Sequence, residues 1–177
     1  MLLAFLHGPA ASGKYTIGSR VASELGWPLF HNHLTVDLVR ELFPFGSPGF
    51  RALRERIWLD TFEEAANARQ SIVFTFQPES TVDPAFIERA VETIESRGGS
   101  VAFVELTCPD EVVESRIEDE GRAAFGKLRS AEFHRELRRS GGLEFPRLPD
   151  PLIVVATDEV EPDEAAARIV AALREAE

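Results

Sequence analysis

The 177-residue chain predicts a three-layer α/β fold, a five-stranded parallel sheet with helices on both faces and a small helical lid. Two observations carry that expectation. Short apolar runs alternate with helical patterns along the whole chain. The first apolar run also stops abruptly at a glycine-rich stretch that opens a helix, and sheets of this kind hold ligands at the carboxyl ends of their strands.

The elements follow in order. Leu2-Leu3-Ala4-Phe5-Leu6 is apolar at every position, as in a strand buried on both faces. Ile17, Val21, Ala22 and Leu25 recur at helical spacing over about 15–25, and Gly26 is a stop signal. A weaker run, Trp27-Pro28-Leu29-Phe30, gives a second strand before a helix over about 33–43. A longer helix over 50–69 sets Phe50, Leu53, Ile57, Phe62 and Ala65 on one side. Further strands are expected at 71–76, 101–106 and 152–156, with helices at 84–97, 110–120, 130–140 and 162–175. Pro84, Pro109 and Pro162 stand near helix starts, where a missing N–H costs little. Asp83 and Thr107 are candidate N-caps, and Gly98-Gly99 ends a helix. With no repeat and no low-complexity linker, residues 1–177 form one expected domain. Within it, 118–142 is crowded with charge, lacks a strong apolar stripe and closes on Gly141-Gly142, which suits a loosely packed lid.

The glycine-rich stretch is Gly8-Pro9-Ala10-Ala11-Ser12-Gly13-Lys14-Tyr15-Thr16. It matches Gly, four residues, Gly, Lys, the phosphate-binding loop (P-loop, or Walker A) of nucleoside triphosphate enzymes, except that Tyr15 stands where Ser or Thr is usual. The alternative is a plain glycine-rich βα turn with an exposed lysine. The chain has only two lysines, Lys14 and Lys127, so one at this position argues for the loop. Its backbone N–H groups would form an anion nest, reinforced by the helix N-terminus, and Lys14 would reach the β- and γ-phosphates of ATP.

A net charge of −11 argues against general affinity for nucleic acid or an anionic membrane, but leaves room for a local phosphate site. One cysteine, Cys108, permits no internal disulfide and points to a reducing compartment; its neighbours suggest a buried strand-end thiol. No membrane-spanning run is present and the N-terminus lacks the basic start of a signal peptide, so the expected location is the cytoplasm.

With the loop, the charged segment and the strand order in place, the chain resembles the small P-loop kinases: shikimate kinase, gluconate kinase, chloramphenicol phosphotransferase and the nucleoside monophosphate kinases. Nearest is a bacterial shikimate-kinase-like group also labelled AAA-family ATPases. Val101 to Pro109, followed by Val112-Val113-Glu114-Ser115-Arg116-Ile117, is similar to their strand, small-residue–Pro turn and Arg-bearing helix. The resemblance implies that Arg116 lies against adenine, a cation–π contact, and that Arg122 is a lid arginine reaching the transferred phosphate. It also implies that Ala156, Thr157 and Asp158 cradle the base. Each arginine reads alternatively as a surface helix cation, and Asp158 as a cap.

The acceptor is expected where Phe30-His31-Asn32-His33 follows the second strand. Shikimate kinase carries paired acidic residues there; His31 and His33 in their place set a shikimate substrate in doubt. His31, Asn32 and His33 are candidate acceptor contacts, and no third side chain marks a metal site beside them. Asp37 is the nearest candidate base, or else a solvated helix carboxylate. Arg54 is a candidate clamp for an anionic acceptor or an ordinary exposed arginine, and Gln77 ends the third strand beside the loop. The expected cofactors are ATP (or ADP) and Mg²⁺. Tyr15 cannot imitate the Mg²⁺-binding hydroxyl, and Thr16 is turned about 100° around the helix toward an α-phosphate. The expected function is therefore ATP-dependent phosphorylation of a small-molecule acceptor. The rival readings, favoured by Tyr15, are a nucleotide-binding regulatory or interaction protein and a slow ATPase.

Overall fold

A computed structural model describes residues 1–118 and 130–176. Its elements run β1 (Leu2–His7), α1 (Lys14–Leu25), β2 (Leu29–His31), α2 (Asn32–Arg40), α3 (Pro48–Asn67) and β3 (Ile72–Phe76). The chain continues through α4 (Phe86–Glu95), β4 (Ser100–Thr107), α5 (Asp110–Ile117), α6 (Ala131–Arg139), β5 (Ile153–Ala156) and α7 (Pro162–Ala176). The five strands lie in the order β2-β3-β1-β4-β5 and every pairing is parallel. β1 is central, with Phe5 paired to Phe74 on one side and Phe103 on the other.

The unbroken apolar run of β1 follows from two cores, one on each face. Leu2, Ala4 and Leu6 point to the α1/α7 side, against Ile17, Val21, Ile169 and Val170. Leu3 and Phe5 point to the α3/α4 side, into an aromatic layer of Trp58, Phe62, Phe74 and Phe86. Phe5 meets Phe74 edge-on with ring centroids 5.2 Å apart, and Trp58 packs on Phe86 at 5.1 Å.

Local chemistry sets the helix ends. Gly26 closes α1 at φ 68°, where a β-carbon would be strained. Ser47 caps α3 by accepting from the Phe50 N–H at 3.3 Å, with Pro48 at the first helical position. Two expected caps fall elsewhere. Pro109 is the N-cap of α5, because Thr107 stays in β4 and its hydroxyl turns to the Val155 carbonyl at 3.5 Å. Asp83 accepts from the Ala85 N–H at 2.9 Å ahead of α4, whose N-cap is Ala85. The helix expected at 33–43 begins directly after β2 at Asn32, so His31 ends the strand and caps the helix.

Arg54 departs most from its sequence expectation. It is only 1% exposed, on the inner face of α3 between Phe50 and Trp58, 5.0 and 4.8 Å from their ring centroids. Its Nη1 donates to Glu79 Oε1 at 2.7 Å and Thr81 Oγ1 at 3.1 Å, and its Nη2 donates to the Thr81 carbonyl at 3.0 Å. Burial pushes the guanidinium's pKa down from its ordinary value, and Glu79 opposes that shift. This arginine pins the segment after β3 to α3. Glu79→Ala would strip the buried cation of its hydrogen-bonded carboxylate, leaving Glu55 at 3.7 Å, and is expected to cost about 3 kcal/mol by denaturant unfolding. Arg54→Met with Glu79→Gln, which removes both charges, should cost clearly less.

Candidate functional site: a nucleotide cleft at the carboxyl edge of the sheet

The loop after β1 springs from between β3 and β4. Gly8 is pressed against the β4 backbone so closely that a β-carbon there would lie 2.3 Å from the Leu106 carbonyl oxygen. Gly13, at φ 82°, turns the chain into α1, and Ala11 takes the left-handed conformation at φ 57°. The α1 N-terminus lies immediately behind this turn. Lys14 folds back over the loop: its Nζ donates to the Gly8 carbonyl at 2.9 Å and to the Pro9 carbonyl, with Ser12 Oγ at 3.4 Å. That posture holds the ammonium over the loop.

A cavity of about 640 Å³ opens beside this loop. Ala11 to Ile17 line its middle; His31, Asn32, His33, Thr75 and Gln77 line one end, and Arg116 with the Thr157–Pro162 turn lines the other. Arg116 ties the second end together. Its Nη1 donates to Thr157 Oγ1 at 3.1 Å, the Ala11 carbonyl at 3.4 Å and Cys108 Sγ at 3.6 Å, and its Nη2 donates to the Thr157 carbonyl at 2.7 Å. Thr157 Oγ1 in turn donates to the Thr107 carbonyl at 3.1 Å. Three segments far apart in sequence, the loop, α5 and the turn after β5, are thus joined through one guanidinium. Cys108 is partly buried, packed beside Ala10 and Val113.

The opposite end answers the Tyr15 question. The phenol ring, 38% exposed, stands edge-on against the His31 imidazole with centroids 4.9 Å apart, and His33 follows at 6.3 Å. Tyr15 therefore belongs to an aromatic pair at the β2 edge. The Asn32 N–H donates to Thr75 Oγ1 at 3.3 Å, which ties the β2–α2 turn to β3. Gln77 lines the cleft as expected, whereas Asp37 and Arg54 are not among its lining residues. Among the described residues, no carboxylate lines the cleft between the loop and β2, and no group of three or more His, Cys, Asp or Glu side chains could hold a metal ion. Ala156, expected to cradle the base, ends β5 just ahead of Thr157 and outside the lining. Arg122 and much of the expected 118–142 lid lie outside the described residues; α6 and the Gly141 turn, at φ 76°, lie within them.

Sequence reading passed over His7. It ends β1, is 6% exposed, and sits 6.3 Å from the Phe103 ring. Its signal was a polar residue closing an otherwise apolar strand, directly before the first glycine of the loop. Burial, and then the charge of Lys14, push its pKa from 6.5 down to about 4. The unfolded chain thus binds a proton at this side chain between about pH 6.5 and pH 4 that the folded chain refuses. Folding stability from His7 is complete above pH 6.5 and falls as the pH drops through that window, by up to about 3 kcal/mol. A histidine NMR titration should find His7 neutral down to about pH 4. In His7→Gln, the loss of stability between pH 6.5 and 4 should be correspondingly smaller.

No family model matches the chain. A shikimate kinase from Rhodococcus jostii (strain RHA1) is 43% identical over 60 residues, which cover 30% of this chain and 36% of that enzyme. The match thus spans about a third of the curated relative. Solved structures align over nearly the whole chain. A sugar kinase from Janibacter sp. HTCC2649 superposes with a TM-score of 0.67 at 19% identity, over 98% of this chain and 95% of its own. The APS kinase of Mycobacterium tuberculosis, solved with AMPPNP and APS, gives 0.69 at 16% identity, over 97% and 96%. The chain has the fold of these small P-loop kinases, and its partial sequence match is to a shikimate kinase. Among the described residues no helix is long and apolar enough to cross a membrane.

Proposed function

We propose that the protein is an ATP-dependent kinase that phosphorylates a small molecule. The observation that carries this reading is the Arg116 bridge between the Ala11 carbonyl and Thr157, which closes a base-sized site directly onto a phosphate-binding loop. ATP lies with its triphosphate in the Gly8–Thr16 nest and its base between Arg116 and the Thr157–Asp158 turn. Lys14 shifts its charge from the loop carbonyls to the β- and γ-phosphates. Arg122 closes over the γ-phosphate from the lid. The acceptor's hydroxyl oxygen attacks the γ-phosphorus, the bond to the β-phosphate oxygen breaks, ADP leaves, and the hydroxyl proton passes to water. Preorganised positive charge supplies most of the acceleration.

The chain's donors do not reproduce the usual Mg²⁺ set of loop hydroxyl and strand carboxylate. At the loop end of the cleft they are a phenol, hydroxyls, amides and imidazoles. A divalent ion entering with ATP would keep nucleotide oxygens and water as its ligands, which Mg²⁺ accepts. That same feature supports a second reading, a nucleotide-binding protein that does not transfer phosphate.

ADP production across a panel of hydroxylated metabolites separates the two readings. The kinase reading expects release that depends on one added compound; tight ATP binding with no acceptor-dependent release would favour the second. Lys14→Ala should lower turnover by at least about 100-fold while the far-ultraviolet circular dichroism stays native. Tyr15→Ser, which returns a hydroxyl to the metal's side of the loop, should raise Mg²⁺-dependent turnover; no change would mean that the metal is served wholly by nucleotide and water.

A further inference from the structure

A second cavity, of about 380 Å³, lies next to the P-loop. Its floor is the carboxyl edge of the sheet, where His7 ends β1, Gln77 follows β3 and Glu105 lies two residues before the end of β4. Its wall is the irregular chain between α6 and β5, including Leu143, Phe145 and Pro146. Phe145 is anchored against Phe76 with ring centroids 5.6 Å apart, so the wall is attached to the aromatic core. The cavity touches the nucleotide cleft at two places. Gln77 lines both, and Ala10 of this cavity adjoins Ala11 of the other along the loop that would hold the triphosphate.

The cavity's polar groups limit what it can take. His7 is more than nine-tenths buried, and its Nε2 has no hydrogen-bond partner among the described residues. A buried polar atom in that condition costs stability unless something bonds to it. The imidazole is held neutral by burial and by Lys14, so Nε2 offers a dipole and no charge. Glu105 adds a carboxylate and Gln77 an amide. The one cation among the described lining residues is Arg147, whose guanidinium pairs with Asp150 at 2.7 Å on the open surface. Arg54, placed by sequence as an anion clamp, is committed to Glu79 and Thr81 and does not line this cavity. A carboxylated ligand would meet the Glu105 charge, and the surface-paired Arg147 is the one cation among the described lining residues to offset it.

We infer that this cavity binds the phosphoryl acceptor, and that the acceptor is an uncharged, hydroxyl-bearing small molecule with an apolar face. Its polar edge bonds to the His7 imidazole and the Gln77 amide, and its apolar face lies on Leu143, Phe145 and Pro146. The inference rests on the kinase reading for what is done with the ligand, but not for the binding. His7 is then a specificity-determining residue: a site built around a neutral, buried hydrogen-bonding group rejects compounds that cannot bond to it.

The test uses histidine imidazole NMR of the full chain loaded with ADP. Matched neutral and carboxylated compounds are added, glucose against gluconate and shikimate methyl ester against shikimate. The chain's four histidines make the readout simple. A neutral compound is expected to shift the His7 resonances, leave His31, His33 and His134 in place, and bind at least about tenfold tighter than its carboxylate partner. His7→Phe should weaken that binding about tenfold or more, and His7→Gln, which keeps a hydrogen-bonding group, should recover much of it. Tighter binding of the carboxylates, shifts confined to His31 and His33, or no His7 shift with any compound would overturn the assignment. Neutral compounds that fill the His7 cavity yet never accelerate ADP release would retire the kinase reading and leave this one standing.

Discussion

The close approach of Gly8 to the Leu106 carbonyl oxygen governs the site. At 2.3 Å from that oxygen to the position of an added β-carbon, no side chain fits. The contact presses the loop against β4, so the chain must turn sharply before α1. That turn brings Lys14 back onto the Gly8 and Pro9 carbonyls. It also fixes His7 one residue earlier, at the edge of the sheet. The nucleotide cleft and the smaller cavity both border this one constrained loop, and they meet at Gln77.

The two arginines that matter most do opposite work. Arg116 lines the open cleft, and its bonds to Ala11 and Thr157 are with neutral carbonyl and hydroxyl oxygens. Arg54 is a cation in the aromatic layer, neutralised by Glu79 and unable to serve an anion in the cleft. Geometry that looks alike in sequence, an arginine on a helix near a strand end, divides into function and scaffold according to the carboxylate that faces it. The charge balance of the acceptor side follows from that division.

Tyr15 shows how one substitution is absorbed. Its ring is too long to place an oxygen where a serine would, and it stands edge-on against His31 instead. The β2 edge of the cleft therefore presents aromatic and imidazole surfaces where shikimate kinase carries acidic residues. The Gly8–Lys14 contact of the loop is untouched by this.

Sequence alone determined the alternation of strands and helices, the parallel sheet, the loop and Lys14. Each of these follows from local chemistry: apolar period, glycine at a turn, lysine beside a helix start. The convergence of Ala11, Arg116 and Thr157 was legible only through family resemblance, since nothing local links residues about a hundred positions apart. The partners of side chains were decided by tertiary structure. Arg54 was read as a clamp because its helical position is known from sequence, while Glu79 comes from another segment and its approach is not. His7 was read as the end of a strand, because its burial and its unpaired Nε2 exist only once β3, β4 and the 143–151 segment surround it. Hydrogen-bond satisfaction and desolvation depend on what neighbours bring, and neighbours distant in the chain are chosen by the fold.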